Sequence, residues 1–117
     1  MEYLFLCAYG WDRSPTAAFV ALEIARRSGL EIRMSYGGIK YFLDELKTSP
    51  VGSLRERLRT HLNDFDRIFV MEDYMAEGII GVGVSRDKIH CLHIPNEYVR
   101  NEPVLKKLLE EKLKDLI

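Results

Sequence analysis

The chain has 117 residues, the size of one ordinary domain, so we expect residues 1–117 to form a single domain. Hydrophobic residues make up 47% and charged residues 30%, a balance that excludes a disordered tail protein or a membrane protein. The 17 Lys and Arg residues are balanced by 18 Asp and Glu residues, so the chain lacks the net positive charge that is typical of nucleic-acid-binding proteins. We expect neither a nucleic acid nor a membrane as a partner.

The N-terminal third predicts a strand followed directly by a helix. Tyr3–Cys7 is an almost wholly apolar run, which suits a strand buried on both faces. Ser14 then predicts a helix N-cap and Pro15 the first helical residue, because proline at that position loses no helical hydrogen bond. The helix is expected over Thr16–Arg27, and Gly29 predicts its end.

The rest of the chain alternates predicted strands and helices. Glu31–Tyr36 predicts a second strand because its apolar residues alternate with polar ones. Apolar residues at helical spacing predict two helices, one before and one after Ser49-Pro50: Ile39, Phe42, Leu43 and Leu46, then Leu54, Leu58 and Leu62. Phe65–Met71 and Lys88–Ile94 predict two further strands, and an amphipathic helix is expected from Pro103.

This alternation predicts an α/β fold of three layers, a four-stranded parallel sheet with helices on both faces. In such sheets ligands bind beyond the carboxyl ends of the strands. Cys7 stands at the end of the first predicted strand.

The segment from Cys7 to Pro15 spells C-x5-R-S-P between a buried strand and a helix start. A loop of this length can turn successive backbone N–H groups inward, and the helix dipole adds positive potential, so the pattern predicts an anion site. The residues predicted to hold a phosphate are Ala8, Tyr9, Gly10, Trp11, Asp12 and Arg13. Arg13 suits two phosphate oxygens because its guanidinium is a planar fork.

Cys7 is the predicted nucleophile of this loop. The amides and the dipole that attract an anion also favour a thiolate, and the Ser14 hydroxyl can donate a hydrogen bond to the sulfur. The alternative for the cysteine by itself is a buried, inert packing residue. The loop context favours the nucleophile.

These residues resemble the low-molecular-weight protein tyrosine phosphatases, in which an N-terminal strand runs into C-x5-R-S-P and a helix of small residues. The resemblance covers the first thirty residues closely and Ile68–Asp73 more loosely. It implies four parallel strands, Cys7 as nucleophile, Arg13 as phosphate clamp and Ser14 as thiolate donor, with no metal or organic cofactor. The chain departs from the family at Tyr9, Gly10 and Asp12, and it has no Asp-Pro pair, which supplies the general acid in that family.

The general acid must therefore come from elsewhere, and Glu97 is the candidate. It lies in the turn after the fourth predicted strand, and parallel strands share the edge at which they end. Burial against Tyr98 or Trp11 would keep its carboxyl protonated. Glu102 is the competitor, although an acid before Pro103 also suits a helix N-terminus.

The sequence thus predicts a cysteine-dependent phosphatase that hydrolyses phosphotyrosine or a similar aryl phosphate, in a protein or a small molecule, through a phosphocysteine intermediate. The alternatives are a phosphocarrier, a phosphate-binding protein without catalysis, and an arsenate-reductase-like protein, although arsenate reductases use two further cysteines and this chain has one. We expect a cytoplasmic protein, because two cysteines make no disulfide scaffold and no signal peptide is evident.

The remaining candidates receive simpler interpretations. Cys91 is expected to be a buried apolar residue, and His90 and His93 should point to opposite faces of a strand, so no shared metal is expected. Tyr9, Trp11 and Tyr74 are candidates for the entrance of the site or for simple packing.

Overall fold

The computed structural model describes residues 1–48 and 52–117 and is built on a sheet of four parallel strands. The strands are β1 (Glu2–Cys7), β2 (Arg33–Gly38), β3 (Arg67–Val70) and β4 (Ile89–Cys91). The helices are α1 (Arg13–Arg27), α2 (Lys40–Thr48), α3 (Gly52–Asn63), α4 (Asp73–Val82) and α5 (Pro103–Leu113). The expected α/β fold is confirmed. The Ser49-Pro50 boundary lies outside the described residues.

The strand order β2-β1-β3-β4 places the ends of β1 and β3 at the middle of the sheet. The chain leaves β1 toward β2 on one side and leaves β3 toward β4 on the other, so a crevice forms between the two exits. Because the crossovers run in opposite directions and are right-handed, helices cover both faces. α1 packs on α5, and α4 packs on α2 and α3.

Both central strands are buried, as their apolar sequences predict. Phe5 of β1 stacks on Phe69 of β3 with ring centroids 4.8 Å apart, and neither side chain is exposed. Such offset aromatic contacts add to the free energy of burial. The sheet therefore provides rigid support for the two exits. No helix among the described residues has the length and apolar character needed to cross a bilayer.

Helix α1 begins earlier than the sequence indicated. The N-cap is Asp12 and not Ser14, because the carbonyl of Asp12 already accepts the Thr16 N–H at 3.3 Å. Pro15 still lies in the first turn, where a missing N–H costs no helical bond. The predicted end is confirmed, since Gly29 has a φ of +69° just beyond the last turn.

Two predicted strands have different ends. β2 extends through Gly37 and Gly38, which pair with Leu6 and Cys7 and so continue the ladder of β1. β4 is shorter than Lys88–Ile94 because His93 has a φ of 53°, a left-handed conformation that no strand contains. The regular strand therefore ends before His93, although the Ile94 N–H still donates to the Met71 carbonyl at 2.9 Å.

One consequence of the buried sheet concerns stability at low pH. His90 of β4 stacks on Phe69 with centroids 5.2 Å apart, and burial, with a contribution from the charge of Arg67, lowers the pKa of its imidazole below the ordinary 6.5. The unfolded chain thus binds the proton more tightly than the folded one. We expect the contribution of the neutral His90 to the free energy of unfolding to be fully present above the ordinary pKa. This contribution should be lost as pH drops through the lowered pKa of the folded state.

The variant His90→Phe keeps an aromatic ring on Phe69 and removes the titration. Denaturant unfolding at several pH values on both sides of the ordinary histidine pKa should show a shallower acid loss in this variant. An equally steep loss would mean that His90 does not cause it.

Candidate active site

The loop between β1 and α1 encloses the sulfur of Cys7. Cys7 is buried, and its Sγ atom accepts the backbone N–H of Gly10 at 3.1 Å. The Ser14 hydroxyl lies 3.1 Å from the same sulfur and 3.2 Å from the carbonyl oxygen of Gly37. Because a hydroxyl has one proton, Ser14 can donate to Gly37 while Cys7 is a thiol, or to Sγ when Cys7 is a thiolate. Two donors are thus available to a thiolate.

Glycines allow the loop to lie directly against the end of β2. Gly10 has a φ of +75°, and a Cβ at this position would lie 2.7 Å from the nitrogen of Gly38. A Cβ on Gly38 would in turn lie 2.5 Å from the carbonyl carbon of Tyr9. Neither contact is possible for a real side chain, so both positions require glycine.

We expect Gly10→Ala to destabilise the protein more than Gly29→Ala does. Both residues have a positive φ, which costs an alanine about 1–3 kcal/mol, but a Cβ on Gly29 meets nothing within 4 Å. Gly10→Ala adds a clash with backbone, so the difference should be at least about 1 kcal/mol. Denaturant unfolding of the two variants measures it, and equal losses would contradict the close approach.

Arg13 is buried beneath the loop with 1% of its side chain exposed. Its Nη1 atom donates to the carbonyl oxygen of Ile94 at 2.7 Å and lies 3.3 Å from a carboxylate oxygen of Glu72. Its Nη2 atom is also buried but has no hydrogen-bond partner among the described residues. An unpaired buried donor is costly, so this atom is available to an anion.

The outer side of the loop is held by the turn that precedes α5. A carboxylate oxygen of Asp12 accepts the backbone N–H of Arg100 at 2.9 Å, and the Thr16 hydroxyl accepts that of Asn101 at 2.9 Å. Asp12 therefore pairs with a backbone amide rather than with a basic side chain. These two bonds tie the end of the loop and the first turn of α1 to residues 100–101.

A small pocket of about 20 Å³ opens above this arrangement. It is lined by Cys7, Ala8, Tyr9, Trp11, Asp12, Arg13 and Asn96. The structure therefore brings together the predicted nucleophile, the predicted clamp and four more of the predicted phosphate-binding residues. Gly10 is not in the lining, and its N–H is used by the sulfur instead.

Solved structures resemble this architecture along nearly the whole chain. A low-molecular-weight protein tyrosine phosphatase from Bacillus subtilis has 21% identity and a TM-score of 0.64, with 99% of this chain and 94% of that chain covered. The corresponding protein VcLMWPTP-2 from Vibrio cholerae O395 has 15% identity and a TM-score of 0.66, with 99% and 94% covered. The fold is that of the low-molecular-weight phosphatases. No family model and no curated protein matches the sequence.

A third similar structure is the YwlE arginine phosphatase, a mutant with a phosphorylated active-site serine. It has 22% identity and a TM-score of 0.60, with 99% of this chain and 93% of that chain covered. The resemblance predicted from Cys7–Pro15 is therefore confirmed at the level of the fold.

The three aromatic residues that the sequence suggested for the entrance of the site lie in two different places. Tyr9 and Trp11 are 56% and 71% exposed, and their rings lie 5.5 Å apart at the rim of the small pocket. Tyr74 instead lines a separate groove between α2 and α4. Burial, with the Glu72 carboxylate adding to it, raises the pKa of the Tyr74 phenol. Of these three residues, Tyr9 and Trp11 line the small pocket, whereas Tyr74 does not, although it is near enough to Arg13 and Tyr9 for their charges to act on its phenol.

The burial expected for Glu97 is wrong. Its side chain is exposed and does not line the pocket, although the adjacent Asn96 does. Residues 95–97 are all exposed, so the turn after Ile94 lies on the surface of the protein. Glu102 is the N-cap of α5, and its carboxylate accepts the backbone N–H of Val99 at 3.2 Å.

Sequence reasoning missed the residues that position Arg13. Glu72 lies two residues beyond β3, and the Ile94 carbonyl lies three residues beyond β4. A signal for Glu72 was present, because it follows a strand parallel to β1 as the loop itself does. The role of the Ile94 carbonyl cannot be predicted from residue type, because every residue has a backbone carbonyl.

Proposed function

We propose that this protein is a cysteine-dependent phosphatase that hydrolyses phosphotyrosine or a similar aryl phosphate. The single observation that carries the proposal is the arrangement around one small pocket: a buried Cys7 sulfur with the Gly10 N–H and the Ser14 hydroxyl each 3.1 Å away, and beside it a buried arginine Nη2 without a hydrogen-bond partner in the part of the chain that the structure describes. A nucleophile and an anion clamp in contact with the same space are the requirements of phosphoryl transfer.

The reaction has two steps. In the first, the Cys7 thiolate attacks phosphorus, an S–P bond forms, and the bond from phosphorus to the aryl oxygen breaks. The leaving oxide takes a proton from an acid, while Arg13 and loop amides hold the equatorial oxygens. In the second, water attacks phosphorus and returns a proton to the same acid, the S–P bond breaks, and phosphate leaves with the thiolate restored.

Ser14 has a defined part in this scheme. Its hydroxyl reaches both Sγ and the Gly37 carbonyl, so it can turn toward the sulfur whenever the sulfur carries negative charge. That happens before attack and again when the S–P bond breaks. Ser14 thereby stabilises the thiolate as nucleophile and as leaving group.

The rim of the pocket supports an aryl substrate. Tyr9 and Trp11 present exposed rings directly beside the pocket, and an aromatic leaving group can stack there.

The similar YwlE structure is named an arginine phosphatase, and its active-site serine carries phosphate in place of a cysteine. By analogy, the phosphoryl acceptor in this chain is Cys7.

A second candidate is a protein that binds phosphate without hydrolysing it. The pocket is little larger than the space needed for one water molecule, about 10–15 Å³, and Asp12 adds an acidic residue to its wall. A phosphoryl group requires the exposed Trp11 and Asn96 to move outward. Slow or absent turnover would follow if they do not.

Turnover of a chromogenic aryl phosphate separates these two candidates. A phosphatase should release phosphate repeatedly, and vanadate should inhibit it. Alkylation provides the second measurement, in the variant Cys91→Ser so that Cys7 is the thiol observed. Protection of Cys7 by inorganic phosphate without any turnover favours the binding protein, and the absence of both effects contradicts both candidates.

Glu97 remains our candidate for the general acid, because Asn96, its neighbour in the chain, lines the pocket. We expect Glu97→Gln to steepen the dependence of the rate on the pKa of the leaving phenol, since protonation matters most for poor leaving groups. Glu102→Gln is the matched control, because its carboxylate already accepts the Val99 N–H.

Rates of both variants on a series of aryl phosphates provide the test. An unchanged slope in Glu97→Gln would remove this assignment. A steeper slope in Glu102→Gln alone would transfer the role to Glu102.

A further inference from the structure

Three side chains with metal-ligand atoms meet beside the exits of β3 and β4. Asp73 begins α4, Cys91 ends β4, and His93 follows two residues later. The Nδ1 atom of His93 lies 3.6 Å from the Cys91 sulfur and 3.7 Å from a carboxylate oxygen of Asp73. All three ligand atoms lie within 4.8 Å of one another.

The backbone holds these residues together without their side chains. The N–H groups of Leu92 and Ile94 donate to the carbonyls of Val70 at 2.8 Å and Met71 at 2.9 Å. The segment containing His93 is therefore fixed to the segment that leads into Asp73. His90, in contrast, stacks on Phe69 inside the sheet and takes no part.

The separation of the Cys91 and His93 ligand atoms fits a tetrahedral zinc centre. With Zn–S of about 2.3 Å and Zn–N of about 2.0–2.1 Å, a tetrahedral angle places sulfur and nitrogen about 3.6 Å apart. The observed separation of Cys91 Sγ and His93 Nδ1 is 3.6 Å. The carboxylate of Asp73 is exposed and needs a shift of less than about 1.5 Å to complete three corners.

We propose that Asp73, Cys91 and His93 form a binding site for a divalent transition-metal ion, with zinc as the fitting ion and water as the fourth ligand. Thiolate and imidazole select zinc over magnesium and calcium, which prefer oxygen ligands only. On binding, a sulfur–metal bond replaces the S–H bond of Cys91, and the proton passes to solvent. Thiolate and carboxylate together neutralise the charge of the ion.

The site joins two segments that also hold Arg13. Asp73 follows Glu72, and His93 precedes Ile94, and these two neighbours contact the Nη1 atom of Arg13. A bound ion therefore fastens α4 to the exit of β4. Because it binds the folded chain, it stabilises that chain by mass action, whether or not the protein hydrolyses phosphate.

Titration of the untagged full chain with Zn²⁺ and Co²⁺ tests the site. The variant Cys7→Ser serves as background, so that Cys91 is the thiol present. We expect a single ion per chain, a rise in thermal midpoint with Zn²⁺, and a sulfur-to-cobalt charge-transfer band with Co²⁺. The band should disappear in Cys91→Ser.

The variants Asp73→Asn and His93→Asn should each weaken Zn²⁺ binding at least about tenfold, since loss of even a group that only orients a ligand costs that much. Asparagine is chosen at position 93 because it tolerates the positive φ found there. His61→Asn, on an exposed histidine of α3, is the matched control and should bind like the background. Absence of the cobalt band, or equal binding in the ligand variants and the control, overturns the proposal.

Discussion

Replacing Cys7 by serine is expected to lower kcat for a chromogenic aryl phosphate by more than about 10³-fold. A serine hydroxyl stays protonated near neutral pH, so the donors from Gly10 and Ser14 would face a neutral oxygen instead of an anion. Phosphate affinity should change much less, because Arg13 and the loop remain. Steady-state rates and phosphate binding of the purified variant measure the two effects separately.

Cys91→Ser is the matched control for this experiment, because it removes the other thiol and leaves the loop intact. It should keep nearly the activity of the original protein when both are assayed with a metal chelator present, which removes any effect of an ion at Cys91. If Cys7→Ser retained substantial turnover while folded, the nucleophile would lie elsewhere, and the proposed function would lose its foundation.

Arg13→Lys is expected to lower kcat/KM by at least about 30-fold, equivalent to about 2 kcal/mol of transition-state stabilisation. In the present structure Nη1 of the guanidinium is held by the Ile94 carbonyl and Glu72, while Nη2 has no hydrogen-bond partner among the described residues. Lysine has one nitrogen for both tasks. It must either leave the carbonyl unpaired or leave the phosphate without its clamp.

The control is Arg27→Lys, at the far end of α1, where the side chain forms an exposed pair with Glu110. This variant should behave like the original protein. Thermal unfolding of Arg13→Lys measures the fraction of the variant that is folded, so that its activity can be calculated per folded molecule. Near-normal activity per folded molecule would show that phosphate is held by other groups.

The sequence allowed the local part of this account to be predicted. β1 and α1 follow from an apolar run, a proline and a glycine, and the loop that joins them contains Cys7, Arg13 and Ser14 within a few residues of chain. Local order alone placed these three residues at one strand end, and the structure brings them together there.

The parts that failed depend on contacts between distant segments. The close packing of Gly10 on Gly38 and the contact of Arg13 with Ile94 join segments up to 81 residues apart. The left-handed turn at His93, which ends β4 early, is not encoded by an obvious residue type such as glycine. Glu97 was predicted to lie near Cys7 because parallel strands end at the same edge of the sheet. That rule does not determine whether a side chain in the turn beyond the strand is buried.

The central claim is that the phosphoryl group passes through Cys7, and rapid quenching of a single turnover followed by mass spectrometry of the peptides tests it most directly. We expect one phosphoryl group on the peptide that contains Cys7, appearing together with the phenol and decaying as inorganic phosphate is released. Release of phenol and phosphate with the Cys7 peptide unmodified at every quench time would contradict the account.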